Sequence, residues 1–160
     1  MEKKHIGFEL LVFDGLKELP YQDAALLKQA EKAKKTAYAP YSKFSVGAAL
    51  LLENEEVVLG SNQENASFPA GLCAEGSALF NAGANFPNEK ILAIAVIASS
   101  EVHELNRPAA PCGICRQSIS EYENKQKSPI RIIMSAETGP VYVSDSISNL
   151  LPLGFDGSFL

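Results

Sequence analysis

The chain is short of cationic side chains, histidines and long apolar runs, and each shortage removes a class of function. Lysine and arginine together number 14 against 19 aspartates and glutamates, a net charge of −5. A protein that grips a phosphate backbone carries a basic face, so no nucleic-acid partner is expected. No stretch approaches the roughly 18 consecutive apolar residues of a membrane span, so no membrane partner is expected either. The opening MEKKHIGFELLVFDG places an apolar run after basic residues, but Glu9 and Asp14 interrupt it and no small-residue cleavage site follows. Residues 1–20 are therefore expected to be an extended arm packed on the domain and not a targeting signal. The three cysteines are an odd number, which a secreted disulfide framework would not favour. A reducing, cytoplasmic setting is the expectation.

What is present suits a single domain over residues 1–160. Hydrophobic residues make up 46% and charged residues 21%, which leaves out the disordered and fibrous classes. No internal repeat, low-complexity segment or linker divides the chain. Leu26, Ala30, Ala33 and Ala37 recur near helical spacing and predict a helix over 22–38, stopped by Pro40. Apolar, β-prone runs at 44–52 and 57–60 flank ENEE and predict a hairpin. A second helix is predicted over 73–85, and the nearly unbroken apolar run ILAIAVIA at 91–98 predicts a central strand buried on both faces. A third helix over 111–127 follows, then strands at 130–134 and 141–143 and a short helix at 146–151. The short link between those last two strands requires them to be antiparallel. The predicted fold is α/β, a three-layer α/β/α domain around a mixed five-stranded sheet.

Two stretches concentrate the chemistry. CAEG at 73–76 and PCGICRQ at 111–117 hold all three cysteines, and each opens a predicted helix. Cys112 and Cys115 are three apart, so their sulfurs can share a metal. Cys-X-X-Cys alone also suits a redox pair, half of a structural zinc site or two buried thiols. Cys73 shifts the balance to metal. A structural zinc is closed by four Cys or His ligands, and only His5 and His103 could supply the fourth. His5 stands in the arm and His103 in a polar loop without metal-like spacing. Three thiolates with an open fourth position is the arrangement of a catalytic zinc. Helix N-termini favour thiolate over thiol, and Arg116 beside Cys115 can offset part of the shell's net −1 charge. Glu75, two residues after Cys73, is the candidate proton carrier, although a glutamate in a helix's first turn also serves as a simple dipole partner.

Cys73-Ala74-Glu75 and Pro111-Cys112-Gly113-Ile114-Cys115 match the zinc deaminase signature. AYAPYSKFSVGAALL, NQENAS, CGICRQ and LLPLGF extend the match, and from about Ala37 to Phe155 the chain resembles the small homotetrameric cytidine deaminases. That resemblance implies hydrolysis of cytidine and deoxycytidine to uridine and deoxyuridine plus ammonia, in pyrimidine salvage. It implies one Zn²⁺ per subunit on Cys73, Cys112 and Cys115, with Glu75 moving protons from the attacking water to N3 of the base and to the departing ammonia. It also implies that Asn62 and Glu64 bond the ribose, Phe44 packs on the base and the Ala74 backbone meets the base carbonyl. Phe155 would reach into a neighbouring subunit's site, making the tetramer's sites shared. One position departs from the family. Arginine usually follows the catalytic glutamate and bonds the thiolates, whereas Gly76 stands here. The rival readings are a deaminase of blasticidin S, dCMP or a base in nucleic acid, and a catalytically weakened, zinc-stabilised binding protein.

Overall fold

The computed structural model describes residues Met1–Leu160 and builds one six-stranded sheet. Its strands are β1 (Leu11–Phe13), β2 (Phe44–Leu52), β3 (Val57–Ser61), β4 (Ile91–Ser100), β5 (Arg131–Ser135) and β6 (Val141–Ser144). The spatial order is β1-β6-β5-β4-β2-β3. Only β4 and β5 run parallel, and every other neighbouring pair is antiparallel, the last two strands among them.

The strand count corrects the sequence expectation from five to six. The extended arm enters the sheet, where Leu11 pairs with Val143 and Phe13 with Val141. The three residues of β1 are too few for a period-two pattern to register, and the pairing depends on an edge more than a hundred residues away.

Three helices flank the sheet: α1 (Tyr21–Lys34), α2 (Ala74–Asn85) and α3 (Gly113–Gln126). On one face Leu26, Leu27 and Ala30 of α1 pack on Ala49, Ala95, Ile133 and Val143. On the other, Ala78 and Leu79 of α2 and Ile119 of α3 pack on Leu50, Ile94 and Ile132. Leu50, Leu79, Ile94 and Ile132 have no exposed surface, and burying each such side chain contributes about 1.5–3 kcal/mol. Two glycines permit the close approach of these layers. A Cβ at Gly47 would run into the Ala30 carbonyl of α1, and one at Gly60 into the Ala74 carbonyl of α2. The first turn of α2 is thereby pressed against β3.

The ends of the helices also differ from expectation. α1 stops at Lys34, because the Tyr38 backbone is drawn into pairing with the loop after β3: its N–H donates to Asn62 O at 2.9 Å and its carbonyl accepts from Glu64 N at 2.8 Å. The predicted helix at 146–151 is a single 3₁₀ turn, Ile147–Asn149. No helix is long and apolar enough to cross a membrane.

Candidate metal centre and active site

α2 and α3 begin at the same point in space. Cys73 is the N-cap of α2 and Cys112 the N-cap of α3, and neither sulfur caps its own helix. Cys112 thus sits just outside the helix that was expected to contain it, and Cys115 occupies the first turn. The three sulfurs lie within 4.8 Å of one another, and no histidine or carboxylate joins the group. Cys73 and Cys112 hold their sulfurs 4.0 Å apart. Two thiolates on a tetrahedral zinc with bonds of about 2.3 Å stand about 3.8 Å apart, so the donors fit the ion in number, kind and spacing. Two helix N-termini with unpaired N–H groups converge on these sulfurs and favour their charged form. The neighbouring Cys115 thiol holds Cys73 down at about 6 against the ordinary 9.0. Cys115, buried under the pair, is pushed up by its bond to the Cys73 sulfur and by loss of solvent.

Glu75 follows in the first turn of α2 and is 5% exposed. Burial raises its carboxyl above the ordinary glutamate value, against a smaller lowering from its own backbone and from Cys115. A carboxyl so placed holds a proton at a higher pH than a surface glutamate does.

A cavity of about 360 Å³ opens over these groups. Phe44, Asn62, Glu64, Cys73, Ala74, Glu75 and Cys112 all contribute to its wall. The wall thus gathers most of the residues singled out in the sequence from β2, the loop after β3 and the starts of α2 and α3. Ala74 is the first residue of α2, where a backbone N–H has no partner within the helix.

The polar loop is held by its own functional candidates. Asn62 Oδ1 accepts from Val46 N at 2.8 Å, and Nδ2 donates to Phe44 O at 2.9 Å. One Nδ2 hydrogen remains for another partner. Glu64 Oε2 accepts from Tyr41 N at 2.8 Å and Ser42 N at 3.2 Å. The Ser42 hydroxyl and these two amides hold its carboxyl below the ordinary range. Lys43, next in line, takes the left-handed conformation at φ 56°, which turns the chain so that Phe44 enters β2 facing the cavity.

Three of the sequence candidates stand elsewhere. Phe155 does not line the cavity; it is 55% exposed and stacks on Phe159 at 5.5 Å. Arg116 directs its guanidinium to backbone carbonyls, with Nε donating to Pro111 O and Nη1 to Leu150 O, each at 2.7 Å. Gly76 is buried on α2, where a Cβ would meet the tip of Leu72 at 3.2 Å and Phe80 at 3.6 Å.

Ser42, Val46, Val96, Ala109 and Ala110 also line the cavity and were not singled out in the sequence. Ser42 had a signal, since it stands two residues before Phe44. Ala109 and Ala110 directly precede Pro111, but alanines in a loop carry no chemical signature.

Residues 20–128 match the family described as the cytidine and deoxycytidylate deaminase zinc-binding region. A cytidine deaminase from Halalkalibacterium halodurans is 46% identical over 96 residues, spanning 60% of this chain and 68% of that protein. A cytidine deaminase from Mycoplasma genitalium is 35% identical over 133 residues, covering 83% and 95%. The crystal structure of cytidine deaminase from Burkholderia pseudomallei superposes with a TM-score of 0.71 at 38% identity, over 86% of this chain and all of that one. With a zinc-competent cysteine triad under the cavity and matches of this extent, the chain belongs to the cytidine and deoxycytidylate deaminase family.

Proposed function

We propose that the protein is a zinc-dependent hydrolase converting cytidine and deoxycytidine to uridine and deoxyuridine with release of ammonia. The observation that carries this reading is the buried Glu75 carboxyl beside the cysteine triad, at a cavity that Phe44, Asn62 and Glu64 also line. Zinc held by Cys73, Cys112 and Cys115 supplies Lewis acidity that lowers the pKa of a water toward neutrality.

The chain's own residues do the rest. Phe44 offers an apolar face to the base, and Ala74 N–H is free to donate to the base carbonyl. Asn62 and Glu64 each keep bonding capacity for ribose hydroxyls after fixing the loop backbone. Glu75 takes one proton from the water that adds at C4 and passes it to N3, then takes the proton of the new C4 hydroxyl and passes it to the leaving amino group. One water is consumed and one ammonia released, and the carboxylate is regenerated.

The walls of this cavity, and of the adjoining one lined by Tyr41, Gln63, Asn65 and Phe68, carry glutamates and no lysine or arginine. An uncharged nucleoside suits them better than a nucleotide, whose phosphate calls for cationic donors. Exposed Phe68, Leu72 and Ile114 line that adjoining cavity together, a surface suited to a neighbouring subunit. In this reading residues 1–160 act as one domain of a homotetramer in cytoplasmic pyrimidine salvage, Phe155 reaches a neighbour's site, and Arg116 supports the metal ligands through the backbone before Cys112. Ammonia release from cytidine, deoxycytidine, dCMP and blasticidin S tests the substrate. Turnover of both nucleosides is expected, and activity on dCMP or blasticidin S without cytidine would overturn the reading.

A further inference from the structure

We infer that Arg116 and Gln117 are positioning residues that couple metal binding at the cysteines to docking of the C-terminal segment. The inference rests on the zinc reading above. Arg116 stands in the second turn of α3, one residue after Cys115. A cation near a helix N-terminus opposes the helix dipole and needs a local reason to be there. Its guanidinium spans two separate parts of the chain: Nε donates to the carbonyl of Pro111, which precedes Cys112, and Nη1 donates to the carbonyl of Leu150. Gln117 continues the contact, with Nε2 donating to Phe155 O at 2.9 Å.

Beyond Leu151 the remaining hydrogen bonds of the segment are local, Gly154 N to Leu151 O and the bonds within Asp156–Leu160. The Gln117 bond is therefore the one hydrogen bond tying residues 152–160 to the body of the protein. Leu150 itself packs in the larger core cluster, and Glu123 fixes the preceding turn through Ile147 N at 2.9 Å. The segment thus has a firm root and a single polar tether.

Three thiolates on a divalent ion carry a net −1, and Gly76 puts no cation beside them from α2. Arg116 follows Cys115 directly, its backbone N–H donates to Cys112 O at 2.9 Å and its Nε holds the carbonyl before Cys112, so fixing these cysteines on metal favours its present position and with it the two carbonyl bonds. Linkage is reciprocal: what metal gains from a docked Arg116, the docked segment gains from metal.

The test uses the full chain, with zinc affinity from competition against a chromophoric chelator and amide exchange of residues 150–160 with and without zinc. Zinc is expected to slow exchange in the segment. Arg116→Gln should weaken zinc by roughly 10- to 100-fold and abolish the zinc dependence of that exchange. Arg116→Lys, which cannot span both carbonyls, should show the same loss in milder form and serves if the glutamine variant does not fold. Gln117→Ala should speed exchange near Phe155 with a smaller effect on zinc. Segment exchange that ignores zinc in the parent protein would overturn the coupling, as would an Arg116→Gln variant with parental zinc affinity. Either result would leave deamination by the loaded parent intact, whereas failure to bind zinc at all would sink the zinc reading.

Discussion

Cys73 and Cys112, on two different helices, hold their sulfurs 4.0 Å apart because each is the N-cap of its helix and the two N-termini converge. Gly60 makes the convergence possible on the α2 side, since a Cβ there would collide with the Ala74 carbonyl. The metal site is thus a joint between the helices of one layer, and metal should stabilise the fold as well as serve catalysis. Zinc at a thousand times its dissociation constant adds about 4 kcal/mol, which for a chain of this size raises Tm by roughly 8–16 °C. Thermal melts before and after chelation check this, and an unchanged Tm contradicts it.

Asn62 substitutes for a strand neighbour by satisfying Val46 N–H and Phe44 C=O on β2. Asn62→Ala leaves both groups without that partner and is expected to cost about 1–3 kcal/mol in urea unfolding. The same change should raise KM for cytidine, since Phe44 loses its brace. A parental unfolding midpoint would show that the amide is not structural.

Glu64 gives the fold an acid-side pH dependence. The Ser42 hydroxyl and the Tyr41 and Ser42 amides lower its carboxyl below the ordinary 4.5. Its folded value is the lower one, so its stabilisation is present above the ordinary value and fades as pH falls through the folded value. Melts of the parent should therefore lose more Tm below pH 4.5 than melts of Glu64→Gln. Parallel curves would show that Glu64 does not contribute to the acid-side loss.

Gly76 sets two effects against each other. In the first turn of α2 it costs up to about 1 kcal/mol relative to alanine, and a Cβ there meets only the flexible tip of Leu72 and the Phe80 ring. Gly76→Ala should thus raise Tm modestly with little change in rate. Gly76→Arg adds a cation near the thiolates and is expected to raise turnover. Unchanged rates for Gly76→Arg at saturating zinc would contradict the charge argument.

Most residues of the candidate site could be picked out because its chemistry is local in sequence. Cys73 and Glu75 share a helix start, Cys112 and Cys115 share another, and three cysteines without a well-placed histidine argued for an open metal site. The first helix was legible through its periodicity, and the hairpin through two apolar runs flanking a short polar link. What escaped depends on distant partners. Leu11–Phe13 is a strand only because β6 offers an edge, and α1 ends at Lys34 only because Tyr38 pairs with the loop at Asn62 and Glu64. Asn62 was read as a ligand contact through family resemblance, yet its bonds to Val46 and Phe44 join residues 16 and 18 positions apart. No pattern along the chain reports such a bond.

In the proposed reaction Glu75 carries protons beside the cysteine-held metal. Cytidine loss followed by ultraviolet absorbance, on parent and Glu75→Gln with zinc content measured on the same samples, tests it most directly. Equal zinc is expected in both proteins, with a rate in Glu75→Gln lower by roughly 10²- to 10⁴-fold, the contribution of positioned acid–base catalysis. A fully zinc-loaded Glu75→Gln that deaminates cytidine at the parental rate would contradict it.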